Sequence, residues 1–265
     1  MIETDPPRHQ PQRRVLSSTF TPRAVATLEA DVRQVTSRCL DRVQEMGRFD
    51  FVSEVAHVIP SEVTLSLLGV PQADWVRLAD LEHPALTSAD PEYNAGDSGV
   101  ATMDDALLAL GLYFYELLNE KERTGGDDLL CHLLATPVDG QVDEFVRWAS
   151  PIRHVARTAT ADTTVGDAAV REGDRVGIWL GACNRDGSAF PDPSAFDLAR
   201  DPNPHLGFAF GQHFCLGTHL ARLILRVEFE ELLGRFSSIE LDGEPEGVWS
   251  NFVGRLKHLP AAVSR

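Results

Sequence analysis

Apolar residues recur at helical spacing through the first half of the chain and at shorter, strand-like spacing through much of the second. In TPRAVATLEADVRQVTSRCLDRVQEMG, Val25, Leu28, Val32, Val35, Leu40 and Val43 trace one buried helix face. Thr21 is suited to cap this helix, Pro22 to its first turn and Gly47 to its end. FVSEVAHVIPSEVTLSLLGV predicts a second helix, interrupted at Pro60, and DWVRLADLEHPAL a shorter third. After the polar loop TSADPEYNAGDSG, VATMDDALLALGLYFYELLNEKERTGG predicts a long fourth helix and DDLLCHLLAT a short fifth. The character then changes. QVDEFVRWA predicts a short helix, HVARTAT and DRVGIWLGA predict strands, and loops rich in Pro, Asp and Gly follow. CLGTHLARLILRVEFEELLGRF predicts one strong helix, with Leu216, Leu220, Leu223, Ile224, Val227 and Leu233 as its apolar stripe. The tail IELDGEPEGVWSNFVGRLKHLP reads as short strands and turns. The expected fold is mainly α with a small β part. Residues 1–265 are expected to form one domain: a helical part over 1–136, then a part over 141–265 with the small sheet and the strong helix.

Composition narrows the partners. The 265 residues are 43% hydrophobic, enough for a packed core, and 40 acidic against 24 basic residues leave a formal charge of −16. Such a chain repels nucleic acid and anionic membrane on average, so neither is an expected partner. No run reaches transmembrane length and the first residues, MIETDPPRHQ, hold no apolar signal core, so a cytoplasmic location is expected.

The cysteines are Cys39, Cys131, Cys183 and Cys215, with no CxxC pair among them. Cys39 and Cys131 sit in helical patterns and Cys183 at an expected strand end, where each reads as a small core residue. Cys215 differs by its surroundings, FAFGQHFCLGTHLAR, which put it at the start of the strong helix. Free amide N–H groups and the positive end of the helix dipole favour a negatively charged sulfur there. Gly211 and Gly217 permit close approach of a flat partner, and Phe208, Phe214 and Leu216 would keep water away. A shielded thiolate is suited to a soft or borderline metal, haem iron being one use. A nucleophilic cysteine would need a histidine base, for which His213 and His219 are nearby in sequence. A cysteine of no chemical role is the third reading.

Phe208-x-x-Gly211-x-His213-x-Cys215-x-Gly217, followed by Leu220-Ala221-Arg222, resembles the cysteine loop of the bacterial-type cytochrome P450 haem-thiolate monooxygenases. One position departs from it: Ala209 stands where that loop usually has glycine. Glu144-Phe145-Val146-Arg147 resembles the family's E-x-x-R helix, and FPDPSAFDLAR the segment whose arginine, here Arg200, completes a buried Glu–Arg–Arg network. Two guanidiniums on one carboxylate make strong charge-assisted bonds, and residues at i and i+3 share a helix face. The match extends through DPPRHQPQRR, FTPRAV, GRFDFV and LLGVP.

The resemblance implies haem b, with Cys215 as the axial iron ligand. His9, Arg13, Arg157 and His213 fall where the family holds the propionates, while Phe208, Gly211 and Gly217 shape the loop. It further implies insertion of one oxygen atom into a small organic substrate, with electrons from a ferredoxin or ferredoxin reductase-type donor. It also implies segments this sequence lacks. The family's first strands and helices, ahead of DPPRH, have no counterpart, and only TPVDG separates the fifth helix from the E-x-x-R helix. The family's oxygen-side helix belongs in that gap, with an A-G-x-[DE]-T pattern whose acid and threonine help deliver protons. Neither NAGDSG nor TATADTT supplies it, so the catalytic acid and threonine are unassigned and the shortened chain is expected to turn over poorly. A non-catalytic helper subunit and an inactive remnant are the alternatives.

Overall fold

A computed structural model describes residues 7, 9–17, 20–94, 98, 99, 101–103, 105–110, 113 and 142–264. They form two compact units. The first takes its described residues from 1–139, 215–250 and 255–265, and the second from 140–214 and 251–254.

The first unit is built on helices. Helix α1 spans His9–Ser17. The first predicted helix divides into α2, Pro22–Ala26, and α3, Glu29–Met46. Thr21 caps α2 through its hydroxyl, which accepts from Ala24 N at 3.3 Å. The division falls at Thr27, whose own hydroxyl donates to Ala24 O at 2.7 Å. The amides of Thr27 and Leu28 bond three residues back, which tightens the turn away from α-helical register. Gly47 ends α3 at φ +70°, a conformation that favours glycine.

The second predicted helix is also divided, but not at Pro60. Strand β1, Arg48–Asp50, leads into a π-helical turn, Val52–Ala56, and then into α4, Val58–Leu67. Pro60 is the third residue of α4, in the first turn, where its missing N–H removes no helix bond. Helix α5, Trp75–Thr87, follows a 3-10 turn at Gln72–Asp74. Of the fourth predicted helix, residues 101–103, 105–110 and 113 are helical; the rest of it, the fifth helix and Cys131 lie outside the described residues. The core of this unit joins Val32, Leu40 and Val43 of α3 and Ile59 and Val63 of α4 to Leu220, Leu223 and Val227 of the strong helix. That helix, Thr218–Arg235, is α8. Strands β6 (Ser238–Leu241) and β9 (Pro260–Ser264) complete an antiparallel sheet ordered β1-β9-β6, and β7 (Glu246–Gly247) pairs with β8 (Leu256–His258).

In the second unit, α6, Val142–Ala149, carries the E-x-x-R residues. The antiparallel strands β2 (His154–Thr158) and β5 (Arg175–Trp179) pair with Ala156 opposite Gly177, and β3 (Thr163–Val165) pairs with β4 (Ala168–Val170). The short α7, Leu180–Cys183, follows β5, so Cys183 ends a helix and not a strand. The fold is mainly α with small sheets, and no helix among the described residues is long and apolar enough to cross a membrane.

Candidate functional site

The most heavily bonded side chains of the second unit are Glu144 and Arg147, 1% and 0% exposed. They share a face of α6 because they are three residues apart. The Arg147 guanidinium donates to Glu144 Oε2 through Nε and to Oε1 through Nη2, both at 2.7 Å. Its remaining N–H groups reach the carbonyls of Asn184 at 2.7 Å, Pro193 at 3.0 Å and Ala195 at 2.9 Å. All five donors of the side chain are thereby used, and Phe190 lies 5.3 Å from the guanidinium carbon. Arg200 joins more loosely: its Nε is 3.3 Å from Glu144 Oε2, and its other donors go to the carbonyls of Pro191, Asp192 and Ala195. Glu144 also accepts from Asp197 N at 2.9 Å and Asn203 Nδ2 at 3.0 Å. Burial alone would raise its pKa, but Arg147 and these further donors outweigh it and hold the group at about 2.

Residues absent from the sequence reading complete this network. Asn184, fully buried, donates through Nδ2 to Ser150 Oγ at 3.0 Å and accepts Leu206 N–H through Oδ1 at 2.7 Å. His205 Nδ1 accepts Gly207 N–H at 3.1 Å while Nε2 faces Asp143 Oδ1 at 3.5 Å. A Cβ at Gly207 would lie 2.6 Å from Val146 Cγ1 and 3.0 Å from Val146 O, so only glycine fits where the loop crosses α6. None of these residues stands in a periodic pattern; the one visible signal is a run of turn-forming residues, Asp201-Pro202-Asn203-Pro204, just ahead of the cysteine loop.

The loop residues of this unit lie as follows. Phe208 has its ring centroid 5.6 Å from that of His205. Ala209 has φ +58°, in the left-handed region that favours glycine, which is where the sequence departs from the family pattern. Gly211 opens a 3-10 turn, Gly211–His213, at φ +66°, and His213 closes it, half-buried. Arg157, on β2, donates to Ala156 O at 2.8 Å and lies 5.4 Å over the Phe210 ring.

The first unit holds the others. His9 opens α1 and is buried, 1% exposed, whereas Arg13, one turn on, is half-buried beside a surface hollow it lines with Gln10, Arg14 and Ser17. Cys215 is a free, half-buried thiol. It stands two residues ahead of the N-cap, Gly217, because α8 begins only at Thr218, whose hydroxyl turns back to Cys215 O at 2.8 Å. The helix predicted to begin at Cys215 thus begins three residues later, with Cys215 just ahead of its N-terminus. Phe214 is 42% exposed, too open to serve as the expected shield by itself. The apolar stripe of α8 follows Leu220, Ile224 and Leu232, and Leu233 faces solvent at 73% exposure. Among the described residues no group of three or more His, Cys, Asp and Glu side chains is arranged to hold a metal ion.

A profile of the cytochrome P450 family matches residues 138–249. The methyl-branched lipid omega-hydroxylase of Mycobacterium tuberculosis strain H37Rv is 32% identical over 326 aligned positions, taking in 100% of this chain and 74% of that protein. The steroid C26-monooxygenase of Rhodococcus jostii is 29% identical over 98% of this chain and 65% of its own length. Among solved structures, Mycobacterium marinum cytochrome P450 CYP268A2 in complex with pseudoionone superposes with a TM-score of 0.90 at 31% identity, over 98% of this chain and 76% of that one. The hydroxylase alignment needs 326 positions to carry 265 residues, so segments of the relative inside the matched span have no counterpart here. Identity at this level along the full sequence joins the likeness of fold and of motif order, and the chain belongs to the bacterial cytochrome P450 family, oxidoreductases that use haem, a redox partner and a small-molecule substrate.

Proposed function

We propose that this chain is a haem-thiolate monooxygenase acting on a small, largely apolar substrate, with Cys215 as the axial ligand of haem b. Arg157 and His213, together with His9 and Arg13, are assigned to the propionates, and electrons come from a ferredoxin-type donor in the cytoplasm. The observation that carries the reading is Cys215 itself, a free and half-buried thiol in a chain of this family. Gly217 adds to it. Its φ is −84° and a Cβ there would meet nothing among the described residues within 4 Å, which leaves the loop surface open to a flat partner. The apolar substrate class rests on relatives named for methyl-branched lipids and steroids.

Haem, when bound, supplies the oxygen chemistry; the chain's part is to hold the iron, orient the substrate and govern access of protons and water. On that last count the sequence is poor. It carries no A-G-x-[DE]-T pattern, and only a few residues separate the fifth predicted helix from α6. A site without controlled proton delivery and exclusion of water loses reactive intermediates to solvent. Reductant is therefore consumed largely without product. The test is the ratio of oxygenated product to reductant consumed over a panel of apolar substrates, with a ferredoxin system as donor. A low ratio throughout is expected; tight coupling on any substrate contradicts the poor-turnover reading, and no product at all on a broad panel contradicts the monooxygenase reading.

A further inference from the structure

We propose that His205 is a positioning residue for the cysteine loop, transmitting the placement of α6 to the backbone that runs into Cys215; the inference rests on the haem-thiolate reading. The side chain of His205 is 3% exposed. Its two nitrogens have opposite tasks. Nδ1 accepts the Gly207 amide, so it carries no proton, and the proton on Nε2 faces the Asp143 carboxylate on α6. One imidazole thus clamps the loop to the helix at the point where Gly207 leaves no room for a side chain against Val146.

The neighbouring ties make this placement consequential. Asn203 donates to Glu144, the residue after Asp143, so two successive carboxylates of α6 face the loop, one bonded to position 203 and one 3.5 Å from position 205. Leu206 N–H is taken by Asn184, whose own carbonyl is bonded by Arg147. Beyond Gly207 the loop turns once, with Ala209 N bonded to Leu206 O at 2.9 Å, and again at the 3-10 turn that ends at His213. Gly207 is therefore held eight residues ahead of Cys215, on the same stretch of loop backbone. The charged Glu144–Arg147 pair makes α6 a firm base, and His205, beside Asn203, is a loop side chain that reads its position.

The test uses the full chain with His205→Ala and His205→Asn, since the asparagine Oδ1 can stand where Nδ1 stands and accept the Gly207 amide. Two readouts are taken: amide hydrogen exchange at Gly207, and the absorbance of the haem-loaded, reduced protein under carbon monoxide, which separates thiolate-ligated iron from other ligation. Expected for the alanine variant is exchange at Gly207 about ten-fold faster, with loss of most of the thiolate-type band. The asparagine variant keeps the Gly207 acceptor but cannot reach Asp143, so it should recover slow exchange at Gly207 and not the thiolate-type band. Wild-type exchange or a wild-type spectrum in His205→Ala overturns the assignment, as does a wild-type spectrum in His205→Asn. If the alanine variant does not fold, faster Gly207 exchange or an intact thiolate band in the asparagine variant overturns it. A Cys215→Ser protein with the wild-type spectrum would remove the haem-thiolate reading alone, and exchange at Gly207 would still decide whether His205 holds the loop.

Discussion

Both carboxylate oxygens of Glu144 are held at 2.7 Å by the guanidinium of Arg147, three residues along the same helix. The pair is buried and every donor of Arg147 is used, whereas Arg200 approaches Glu144 no closer than 3.3 Å. The two arginines are therefore unequal. Arg147→Ala leaves the buried carboxylate without its close cation, with Arg200 3.3 Å away, and should cost about 3–5 kcal/mol. Arg200→Ala removes one long charged contact and several carbonyl bonds, and should cost about 1.5–3 kcal/mol. Denaturant unfolding of the two variants measures this, and equal losses contradict the ranking.

Glu144 also sets an acid limit on stability. Its folded pKa, about 2, lies below the ordinary 4.5. A depressed carboxylate contributes stability that is present above the unfolded value and is lost as pH falls from about 4.5 toward 2. Urea midpoints of the wild type should fall across that window, and Glu144→Gln should be less stable at neutral pH with a flatter acid limb. An acid limb unchanged by the substitution contradicts this.

Glu228 works in the opposite direction. It lies on the buried face of α8 between Ile224 and Leu232, and burial pushes its pKa up to about 7. A raised carboxylate favours the protonated form, so stability is full below about 4.5 and declines as pH rises through about 7. Glu228→Gln should gain about 1–3 kcal/mol at pH 8, and the gain should vanish below pH 4.5. Thermal melts of both proteins at pH 5 and pH 8 test it; a gain of equal size at both pH values goes against the buried-carboxylate account.

Ala209 holds φ +58° at the turn leading into the cysteine loop. An L-residue there costs about 1–2 kcal/mol, offset in part by the greater freedom of glycine in the unfolded chain. Ala209→Gly should raise stability by about 0.5–1 kcal/mol. A lower melting temperature for this variant would show that the alanine methyl contributes packing that outweighs the strain.

The charged pair on α6 was legible because i,i+3 spacing on a short amphipathic helix needs no knowledge of the rest of the chain. Cys215 stood out in the sequence for the same reason, since its glycines, aromatics and histidine lie within a few residues. What sequence could not give was long-range and aperiodic: Asn184 reaching Leu206, Asn203 reaching Glu144, and His205 spanning Gly207 and Asp143. Local chemistry also moved boundaries. The Thr27 hydroxyl divides the first helix, Thr218 starts α8 three residues after Cys215, and the buried stripe of α8 admits Glu228 and Leu232 where Leu233 was expected. Spacing counts turns, but a single side-chain bond decides where a helix begins.

The central claim is that Cys215 binds haem iron as a thiolate. The direct measurement is the absorbance spectrum of the purified chain, loaded with haem, reduced and exposed to carbon monoxide, beside Cys215→Ser treated in the same way. The account predicts a long-wavelength Soret band of thiolate-ligated iron in the wild type and its loss in the serine variant; the same spectrum from both proteins would contradict it.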